Sequence, residues 1–532
     1  MLDLTFFTSN PIKLAHARYL AEGLPLTIKG FRQRTYHADY NEPRLSTSGA
    51  ILEASYRSAV AQMEKAGLSL DSHFFFLEDT SVRVDSLSTG DEDIPGVDIK
   101  YWMQAQTFPK LDAELKSKGG NRSATVRSHV LLHIPANYKQ KWGLSADYLV
   151  FVGEQNGHIC EFETSFATNL VFPWLDNQTF NKWFIPQGAE RPLGSLPIHE
   201  ADKVDFRAKS LGKMLKFLRK HNLLTRVSKQ RELPLQNTPS YILCGYTCAG
   251  KTTASQFLAR RTPFLHIEAS DFMHLCFYYR HDAGSDLSVS NFAEMALSEK
   301  PEIAAEKIAE YIEGDVQTPV VISGFRSPGE IDYIRDRLSA DGRQFLTVFI
   351  DCRQEARFSR MTVRGRSGDE SNFDNFKDKD EQQRRMGLDT IASRADTTHW
   401  ENEGSLEDYL NLVTNEVTVP LGDVIDTSAY ISALRDRIDI RFEDAVLFAL
   451  LSVWSETEKS EFLTTARIAK LTAELFPQST KHKDNVSRYF NQDFYPYYEI
   501  DIGNSGIRRY RLSNTGYGRA IRRLSFIAGP RK

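Results

Sequence analysis

One stretch of this chain constrains it more than any other: residues 241–253, with the sequence YILCGYTCAGKTT. Its first four residues are apolar and predict a buried strand, and a helical pattern follows over 254–260. Between them lies the spacing G-x-x-x-x-G-K-[ST] of a phosphate-binding loop, in the strand–loop–helix context that such a loop requires. The alternative, a Gly-rich turn that matches by chance, is disfavoured by that context. The stretch predicts a site for a nucleoside triphosphate.

Each residue type in this loop has a physical role. Gly245 and Gly250 let successive backbone N–H groups turn inward and bind an anion at a helix N-terminus. Lys251 is predicted to reach the β- and γ-phosphates, and the Thr252 hydroxyl to hold the Mg²⁺ ion that bridges them. Thr253 completes the predicted nucleotide-binding set. ATP is the predicted phosphoryl donor.

Length, charge and cysteine content limit the remaining possibilities. At 532 residues the chain is too long for a single core and predicts about three domains. The formal net charge of −4 excludes a global basic field, so a nucleic-acid surface would have to be local. The five cysteines are scattered without zinc-like spacing, which favours a reducing compartment.

The sequence predicts no membrane segment and a cytoplasmic location. No apolar run reaches the roughly 18 residues of a transmembrane helix. The N-terminal residues lack the basic start and long apolar core of a signal peptide.

Composition and periodicity divide the chain into an α/β multidomain protein. We predict a mixed α/β domain over 1–225 and a polar linker with two prolines over 226–239. A third segment, 240–425, alternates strands with helices, which predicts a parallel sheet with helices on both faces. Short helices and a hairpin over 426–532 predict a small α+β domain.

The first domain carries a polar motif after its first predicted strand and a carboxylate pair after a later one. Leu4 to Phe7 is predicted as a strand, followed by the segment TSNPIK of residues 8–13. A helix over 48–66 carries Glu53, and a strand predicted over 73–77 ends at Glu78 and Asp79. Adjacent carboxylates at a strand end typically hold a divalent metal against phosphate oxygens, with one free to activate water.

These motifs resemble those of the inosine triphosphate pyrophosphatases, the house-cleaning NTP pyrophosphatases, over about residues 1–222. The family's T-x-N-x-x-K, D-D-S-G, V-D and P-G motifs are matched by residues 8–13, 78–81, 84–85 and 95–96. Gly153 and Gly157 resemble a family hairpin. The resemblance implies hydrolysis of a non-canonical nucleoside triphosphate to monophosphate and pyrophosphate, and it permits a homodimer through this domain.

The resemblance also implies roles for individual residues. Asp79 would be the general base or metal-bound catalytic carboxylate, and Lys13 would contact the triphosphate. The implied Mg²⁺ ligands are Glu53, Glu78 and Asp79. The implied nucleotide-binding residues are Thr8, Asn10, Lys13, Thr80, Lys203 and Arg207.

The segments that read the base depart from the family pattern. The family's G-Y-D-P appears only as residues 179–182, and its K…S-H-R is reduced to Lys203 and the pair Phe206 and Arg207. We therefore expect a changed base preference. The alternative is a domain that binds a nucleotide without turnover, whereas the surviving carboxylates favour hydrolysis.

The middle segment has the features of a nucleotide kinase. Asp271, just after the second strand, is placed to contact an acceptor, and Arg326 is placed to clamp an acceptor phosphate. Arg360 and Arg364 belong to an arginine-dense segment typical of a kinase lid. Residues 386–396 resemble the closing helix of dephospho-coenzyme A kinase-like and deoxynucleotide kinase-like proteins. The resemblance implies phosphoryl transfer from ATP to a nucleotide-like acceptor, with Lys251, Asp271 and Arg326 as catalytic residues.

The C-terminal segment resembles a winged-helix domain. Helices are predicted over 464–475 and 484–490, and a hairpin over 497–512. Residues 481–532 contain 11 Lys and Arg against 4 Asp and Glu. Arginines that would meet phosphates are Arg508, Arg509, Arg511, Arg519, Arg522 and Arg523. DNA and a protein partner remain alternatives.

Two functional hypotheses follow. In the first, the chain is a nucleotide-metabolism enzyme that combines Mg²⁺-dependent triphosphate hydrolysis with an ATP-dependent nucleotide kinase. In the second, it is a nucleotide sensor whose winged helix reports occupancy to DNA or a protein. The intact carboxylates favour the first, and the altered base-reading segments favour the second.

Overall fold

The computed structural model divides the chain into two compact units, Met1–Ser228 and Lys229–Lys532. The structure describes residues 2–31, 47–90, 92–224, 238–261, 264–281, 285–315, 318–339, 342–364, 372–419, 421–435, 437, 440–454, 461–478, 483–492, 495–502 and 506–528. Most of the predicted linker therefore lies outside the described residues.

The first unit is a mixed sheet with helices on both faces. Its strands are β1 (Leu2–Phe7), β2 (Leu26–Gly30), β3 (Phe74–Val84), β4 (Pro95–Gly96), β5 (Ser123–His133), β6 (Tyr148–Ile159) and β7 (Phe184–Pro186). Its helices are α1 (Pro11–Leu20), α2 (Ser48–Lys65), α3 (Ile99–Ala105), α4 (Phe108–Ser117), α5 (Ala136–Trp142), α6 (Ile198–Val204) and α7 (Phe206–Lys220), with 3₁₀ turns at Phe180–Lys182 and Leu193–Ser195.

The order of the strands in this sheet is β2-β1-β3-β5-β6-β7, and β4 pairs with β3. Strand β1 is parallel to β2 and β3, whereas the pairs from β3 to β7 are antiparallel. Phe74 and Phe76 pack with α1 and α7, and Phe75 and Leu77 pack with α2. Alternate side chains of β3 thus face opposite layers, as the two-residue period of a strand requires.

Two local predictions in this unit are wrong. Strand β3 does not end at Leu77: it continues to Val84, paired with β5 along the whole extension. The alternation of buried and more exposed side chains continues in this extension, where Val82 and Val84 are buried. Gly153 and Gly157 do not form a hairpin but lie inside β6.

The second unit begins with a five-stranded parallel sheet. Its strands are β8 (Ser240–Cys244), β9 (Leu265–Glu268), β10 (Val320–Ser323), β11 (Phe345–Asp351) and β12 (Thr397–Glu401), in the order β12-β11-β8-β10-β9. Its helices are α8 (Lys251–Arg261), α9 (Ala269–Tyr278), α10 (Val289–Glu299), α11 (Ile303–Asp315), α12 (Pro328–Ser339), α13 (Gln354–Arg364), α14 (Phe373–Met386), α15 (Leu388–Ala392) and α16 (Leu406–Glu416).

The parallel sheet confirms the predicted alternation of strands and helices, with one strand added. Strand β12 was not predicted because its sequence, TTHWE, is polar. It lies at the edge of the sheet with Trp400 as its one buried side chain, so it lacks the apolar run of a central strand. The carboxyl ends of β8, β9 and β10 meet at one edge, which positions the site described below.

The C-terminal part of this unit has its own core. Its elements are α17 (Thr427–Ala433), α18 (Phe442–Leu451), β13 (Leu463–Thr464), α19 (Thr465–Leu475), α20 (Lys483–Gln492), β14 (Tyr498–Ile502), β15 (Arg508–Leu512) and α21 (Asn514–Ala528). Strands β14 and β15 form the predicted antiparallel hairpin, and β13 pairs with β15. Within the described residues, no helix is both long and apolar enough to cross a membrane.

Candidate functional site

The loop between β8 and α8 has the backbone of an anion-binding site. Gly245 and Gly250 have φ values of 140° and 110°, and Cys248 has a φ of 63°. A Cβ on Gly245 would approach the Ile350 carbonyl oxygen within 2.8 Å, and one on Gly250 would collide with the Asn402 amide. Both the backbone angle and the available space therefore require glycine at these two positions.

Lys251, the first residue of α8, lies over this loop. Its Nζ donates to the carbonyl oxygens of Gly245 at 2.6 Å and Tyr246 at 2.8 Å. Burial of the ammonium group lowers the pKa of Lys251 to about 8, and the nearby Glu268 carboxylate opposes that shift. The Lys251 ammonium group therefore lies beside the backbone of the loop. A phosphate bound there would contact both the ammonium group and the backbone N–H groups of the loop.

Glu268 is the central acidic residue of this site, and it is not among the predicted site residues. At the carboxyl end of β9, its Oε2 accepts from Ser323 at 2.8 Å and from Thr252 at 3.3 Å. His266 contacts the same serine hydroxyl at 2.7 Å. Burial raises the pKa of Glu268. The available signal was a carboxylate at the end of a parallel strand that meets the phosphate loop at the same edge.

Two further predicted residues lie near Glu268. Asp271, in the first turn of α9, is buried and accepts from the backbone N–H of Thr515 at 2.8 Å. Burial, and then the neighbouring Glu268 charge, raise the pKa of Asp271 well above its usual value. Among the described residues, the Arg326 guanidinium makes one polar contact, with the Met386 sulfur at 3.8 Å, and no carboxylate pairs with it. It is a cation available to an anionic ligand.

Arg360, one of the arginines predicted as a lid, has partners within the protein. Arg360 donates to the carbonyl and side-chain oxygens of Asn402 at 2.9 and 3.1 Å, and Asn402 in turn donates to the loop residue Ala249. Arg357 forms a buried bidentate pair with Asp380. Arg364 ends α13, and its side chain lies outside the described residues. Thr253 is exposed on α8.

The loop offers suitable donors for a magnesium ion. The Thr252 hydroxyl and the Glu268 carboxylate are adjacent oxygens, and Mg²⁺ in such sites is held by one or two protein oxygens together with the phosphates. These residues fit the ion. When bound, it would neutralise charge on the phosphates.

In the first unit, the structure brings three predicted residues together around the buried carboxylate of a fourth, Glu78. Lys13 of α1 lies 3.0 Å from Glu78 Oε2, and Arg207 of α7 lies 3.4 Å from Oε1. Thr80 donates to Glu78 at 2.8 Å and accepts from Arg207 at 3.2 Å. Ser128 adds another donor at 2.8 Å. Burial would raise the pKa of Glu78, but Lys13 and Arg207 outweigh it and hold that pKa well below its usual value.

The remaining motif residues shape the start of α1 or lie apart. Asn10 is the N-cap of α1, and its side chain accepts from the backbone of Ile12 and Lys13. Thr8 accepts from the Asn10 backbone at 3.1 Å, which fixes the turn. Lys203 is exposed on α6.

The three predicted metal ligands do not form one donor set. Because alternate residues of β3 face opposite layers, Glu78 faces α1 and α7, whereas Asp79 faces α2, which carries Glu53. Glu53 accepts from Tyr148 at 2.7 Å and from Arg57 at 3.0 Å. Within the described ranges, no group of three or more His, Cys, Asp or Glu side chains lies close enough to hold a metal. We therefore propose no metal site made by all three.

A buried aromatic cluster outside the predicted site residues fixes the start of α7. The His16 ring stacks on Trp174 with 4.5 Å between centroids, and its Nε2 lies 2.7 Å from Asp205 Oδ2. Asp205 also caps α7 by accepting from the backbone of Arg207 and Ala208. These contacts hold the helix that presents Arg207 to Glu78.

Fold and site together define two classes of domain in one chain. The first unit contains a Ham1-like domain, the class of the inosine triphosphate pyrophosphatases, and the second contains a P-loop kinase-like domain. Residues 4–217 match the model of the Ham1 family, and residues 242–384 match that of an AAA domain. Neither match reaches half of the chain.

Two relatives are similar to part of the chain, and their names state no function. A UPF0200 protein of Methanopyrus kandleri is 32% identical over 122 residues, which are 22% of this chain and 61% of the relative. A UPF0200/UPF0201 protein of Archaeoglobus fulgidus is 26% identical over 224 residues, 40% of this chain and 64% of the relative. The chain thus spans less than two thirds of the length of these relatives.

Solved structures overlap parts of the chain. A HAM1 protein from Coxiella burnetii has 18% identity and a TM-score of 0.32, covering 41% of this chain and 100% of that protein. A gluconokinase from Sinorhizobium meliloti has 16% identity and a TM-score of 0.25, covering 34% of this chain and 91% of that protein.

Proposed function

We propose that the chain is a nucleotide-metabolism enzyme with two active sites: an ATP-dependent phosphotransferase in the second unit and a nucleoside triphosphate pyrophosphatase in the first. The observation that carries this proposal is the phosphate loop. Its backbone has angles that require glycine, its Lys251 ammonium group is held by a loop carbonyl oxygen, and the side-chain oxygens of Thr252 and Glu268 lie together at the same edge of the sheet. Few uses other than nucleoside triphosphate binding require all three.

In the phosphotransferase, each residue has a role set by its charge. Lys251 and the loop N–H groups bind the phosphates of ATP and stabilise charge on the transferred group. Arg326 binds an anionic group of the acceptor. The acceptor oxygen attacks the γ-phosphorus as the bond to ADP breaks, and Asp271 accepts the acceptor proton. Thr253, Arg360 and Arg364 complete the proposed nucleotide contacts. Mg²⁺ would be held by Thr252, with Glu268 beside it.

In the pyrophosphatase, Lys13 and Arg207 supply positive charge for the triphosphate, with Thr8, Asn10, Thr80 and Lys203 as further proposed contacts. Asp79 is the proposed base because of its place in the Ham1-like motif: it accepts the proton of a water whose oxygen attacks the α-phosphorus as the bond between the α- and β-phosphates breaks. Since Asp79 lies on the α2 side of β3, this role requires the substrate to reach both sides of the strand at residues 78–79. Monophosphate and pyrophosphate are the products. The Ham1 match over residues 4–217 supports this assignment.

The two activities on one chain suggest editing of a nucleotide pool. One site would remove an unwanted triphosphate, and the other would phosphorylate a monophosphate. The monophosphate that the pyrophosphatase releases should then belong to the substrate class of the phosphotransferase. Neither activity depends on this coupling, so both activities can be present even if the coupling is absent.

Chromatographic product analysis tests both sites. Full-length protein with Mg²⁺ is incubated with standard and deaminated NTPs and dNTPs, with and without monophosphate acceptors. We expect pyrophosphate from one substrate and ADP with a phosphorylated acceptor from another. Lys251→Ala should lower ADP formation by about 100-fold, and Asp79→Asn should lower pyrophosphate release by a similar factor.

Each variant is also the control for the other site, and Asp374→Asn, whose side chain is 80% exposed, should change neither activity. Loss of both activities in either variant would contradict two separate sites. Absence of turnover in the wild type would overturn the enzymatic proposal.

A second candidate is a nucleotide-responsive regulator. The order α18-β13-α19-α20-β14-β15 supports a winged-helix interpretation of the C-terminal segment. Four of its predicted phosphate-contacting arginines have partners inside the chain: Arg509 with Asp501, Arg511 with Glu499, Arg519 with Tyr311 and Arg523 with Asp444. These pairs favour a protein contact over DNA for this segment. In this candidate, the C-terminal segment reports nucleotide occupancy to DNA or a protein. If that response persists in an Asp79→Asn variant that has no turnover, the regulator is favoured.

A further inference from the structure

The C-terminal helix α21 begins directly against the acidic residues of the phosphate-loop site. Thr515, in its first turn, is fully buried. Its hydroxyl accepts from the backbone N–H of Glu268 at 2.9 Å, and its own backbone N–H donates to Asp271 Oδ2 at 2.8 Å. Thr515, about 250 positions further along the chain, therefore contacts the backbone of Glu268 and the carboxylate of Asp271.

These contacts satisfy backbone and carboxylate groups that α9 does not satisfy itself. Glu268 is the N-cap of α9, and its side chain makes no capping bond because it is directed towards Ser323 and Thr252. Its backbone N–H is instead bonded by the Thr515 hydroxyl. A buried N–H without a partner is costly, so the hydroxyl fixes where β9 ends and α9 begins.

The helix approaches this edge closely because of a glycine. A Cβ on Gly518 would lie 2.6 Å from the His266 carbonyl oxygen, so the backbones of α21 and β9 are in direct contact. Asn514 accepts from Gln256 of α8 at 3.2 Å, and Arg519 donates to Tyr311 of α11 at 3.1 Å. Contacts on three elements fix the position of Thr515 relative to the phosphate loop.

The contact is separate from the packing of the C-terminal segment itself. The apolar residues of α21, such as Ile521 and Leu524, are buried in a core made of C-terminal residues alone. That core does not require polar contacts at β9. The hydrogen bonds of Thr515 therefore do not serve that core. They join α21 to the phosphate-loop site, where they fix the backbone of Glu268.

We propose that Thr515 is a positioning residue of the phosphotransfer site, which sets the Glu268 carboxylate beside the Thr252 hydroxyl where Mg²⁺·ATP binds. This inference rests on the proposed phosphotransferase function. It makes the C-terminal segment a structural part of that site. The loop N–H groups and Lys251 bind phosphate without Thr515, so the magnesium-dependent part of ATP binding is what Thr515 controls.

Isothermal titration calorimetry on the full-length protein tests this. The dissociation constant of ATP is measured with Mg²⁺ and with EDTA, and the ratio of the two constants gives the gain from magnesium. Thr515→Val removes the hydroxyl at nearly constant volume. It should lower this gain about tenfold, because the Glu268 backbone is no longer fixed and its carboxylate is less well placed beside Thr252. Thr515→Ser keeps a hydroxyl and should restore the gain.

Thr472→Val is the matched control. Thr472 is an equally buried threonine in the C-terminal core, and its hydroxyl bonds only to the Ile468 carbonyl among the described residues. It should lose less stability, because the Ile468 carbonyl keeps its helical bond, and it should keep the full gain from magnesium. Should Thr515→Val fold poorly by circular dichroism, Thr515→Ala removes the same hydroxyl and serves the same comparison.

An unchanged gain in a folded Thr515→Val, or an equal loss in Thr472→Val, would overturn the positioning role. A wild type that does not bind ATP at all would overturn the phosphotransferase proposal itself. The two failures are therefore distinguishable.

Discussion

Lys251 must satisfy two opposing requirements at one position. It needs a positive charge to bind phosphates, yet its ammonium group is shielded from water, and this burial lowers its pKa to about 8. Because the pKa of the folded protein lies below the usual value, the charge is complete only at lower pH and is lost as the pH rises through about 8. A bound phosphate stabilises the charged form.

The first prediction follows from that linkage. The dissociation constant of ATP should rise with pH above 7, approaching about tenfold per pH unit above pH 8 as Lys251 loses its charge. Lys251→Arg remains charged throughout and should bind less tightly because of its shape but with no such rise. Fluorescence or calorimetric titration at fixed ionic strength measures both. A parallel rise in Lys251→Arg would assign the titration to another group.

At the residue scale, the motif itself was predictable and its acidic partner was not. Gly245, Gly250, Lys251 and Thr252 follow from a spacing that has few other uses. Glu268 lies sixteen residues after Thr252, a spacing that no loop motif fixes. Only the strand order, which places β10 between β8 and β9, brings it near the loop. Side chains that meet through sheet topology carry no local sequence signal.

At the level of elements, Gly153 allows strand β6 and helix α7 to pack with their backbones in close contact. A Cβ at this position in β6 would approach the Phe206 carbonyl oxygen and the Ser210 nitrogen of α7 closer than 3.0 Å. Both are backbone atoms and cannot move aside without displacing the helix. Since α7 also carries Arg207, this close packing bears on the Glu78 cluster.

The second prediction compares two glycines across this contact. Gly153→Ala should lower the free energy of unfolding by about 3 kcal/mol, because overpacking must shift α7. Gly212→Ala, in α7 with no atom within 4 Å of the added Cβ, should raise it by about 0.5 kcal/mol through helix propensity. Urea unfolding of each variant measures both changes. Equal effects would mean that α7 adjusts freely.

Elements with strong periodicity were predictable, and their ends and edges were not. The helix over Ser48–Lys65 and the buried strand β8 match their predicted ranges closely. Strand β3 ran past its predicted end because the polar residues at 78–81 mask a two-residue alternation that resumes at Val82. This error placed Glu78 and Asp79 on one surface, when the strand directs them to opposite layers.

At the scale of the whole molecule, the structure joins two segments that the sequence separates. The predicted boundary near residue 425 divides the phosphate-loop domain from a C-terminal domain, but both lie in one compact unit. Helix α21 covers the edge strand β9, whose backbone would otherwise be open. Composition marks the polar linker but cannot reveal a contact between positions 268 and 515.

The last prediction tests which boundary matters. The fragment 229–532 keeps both segments and should bind Mg²⁺·ATP as tightly as the full chain. The fragment 240–425 follows the sequence boundary and removes Thr515 and Gly518, so it exposes β9 and the carboxylates of Glu268 and Asp271. We expect it to bind at least about tenfold more weakly, as for loss of a buried hydrogen-bond partner, and to unfold at a lower temperature. Calorimetric titration and thermal unfolding of both fragments provide the comparison. If 240–425 matches the longer fragment in both measurements, then the C-terminal segment is a separate module and the phosphate loop is complete without it.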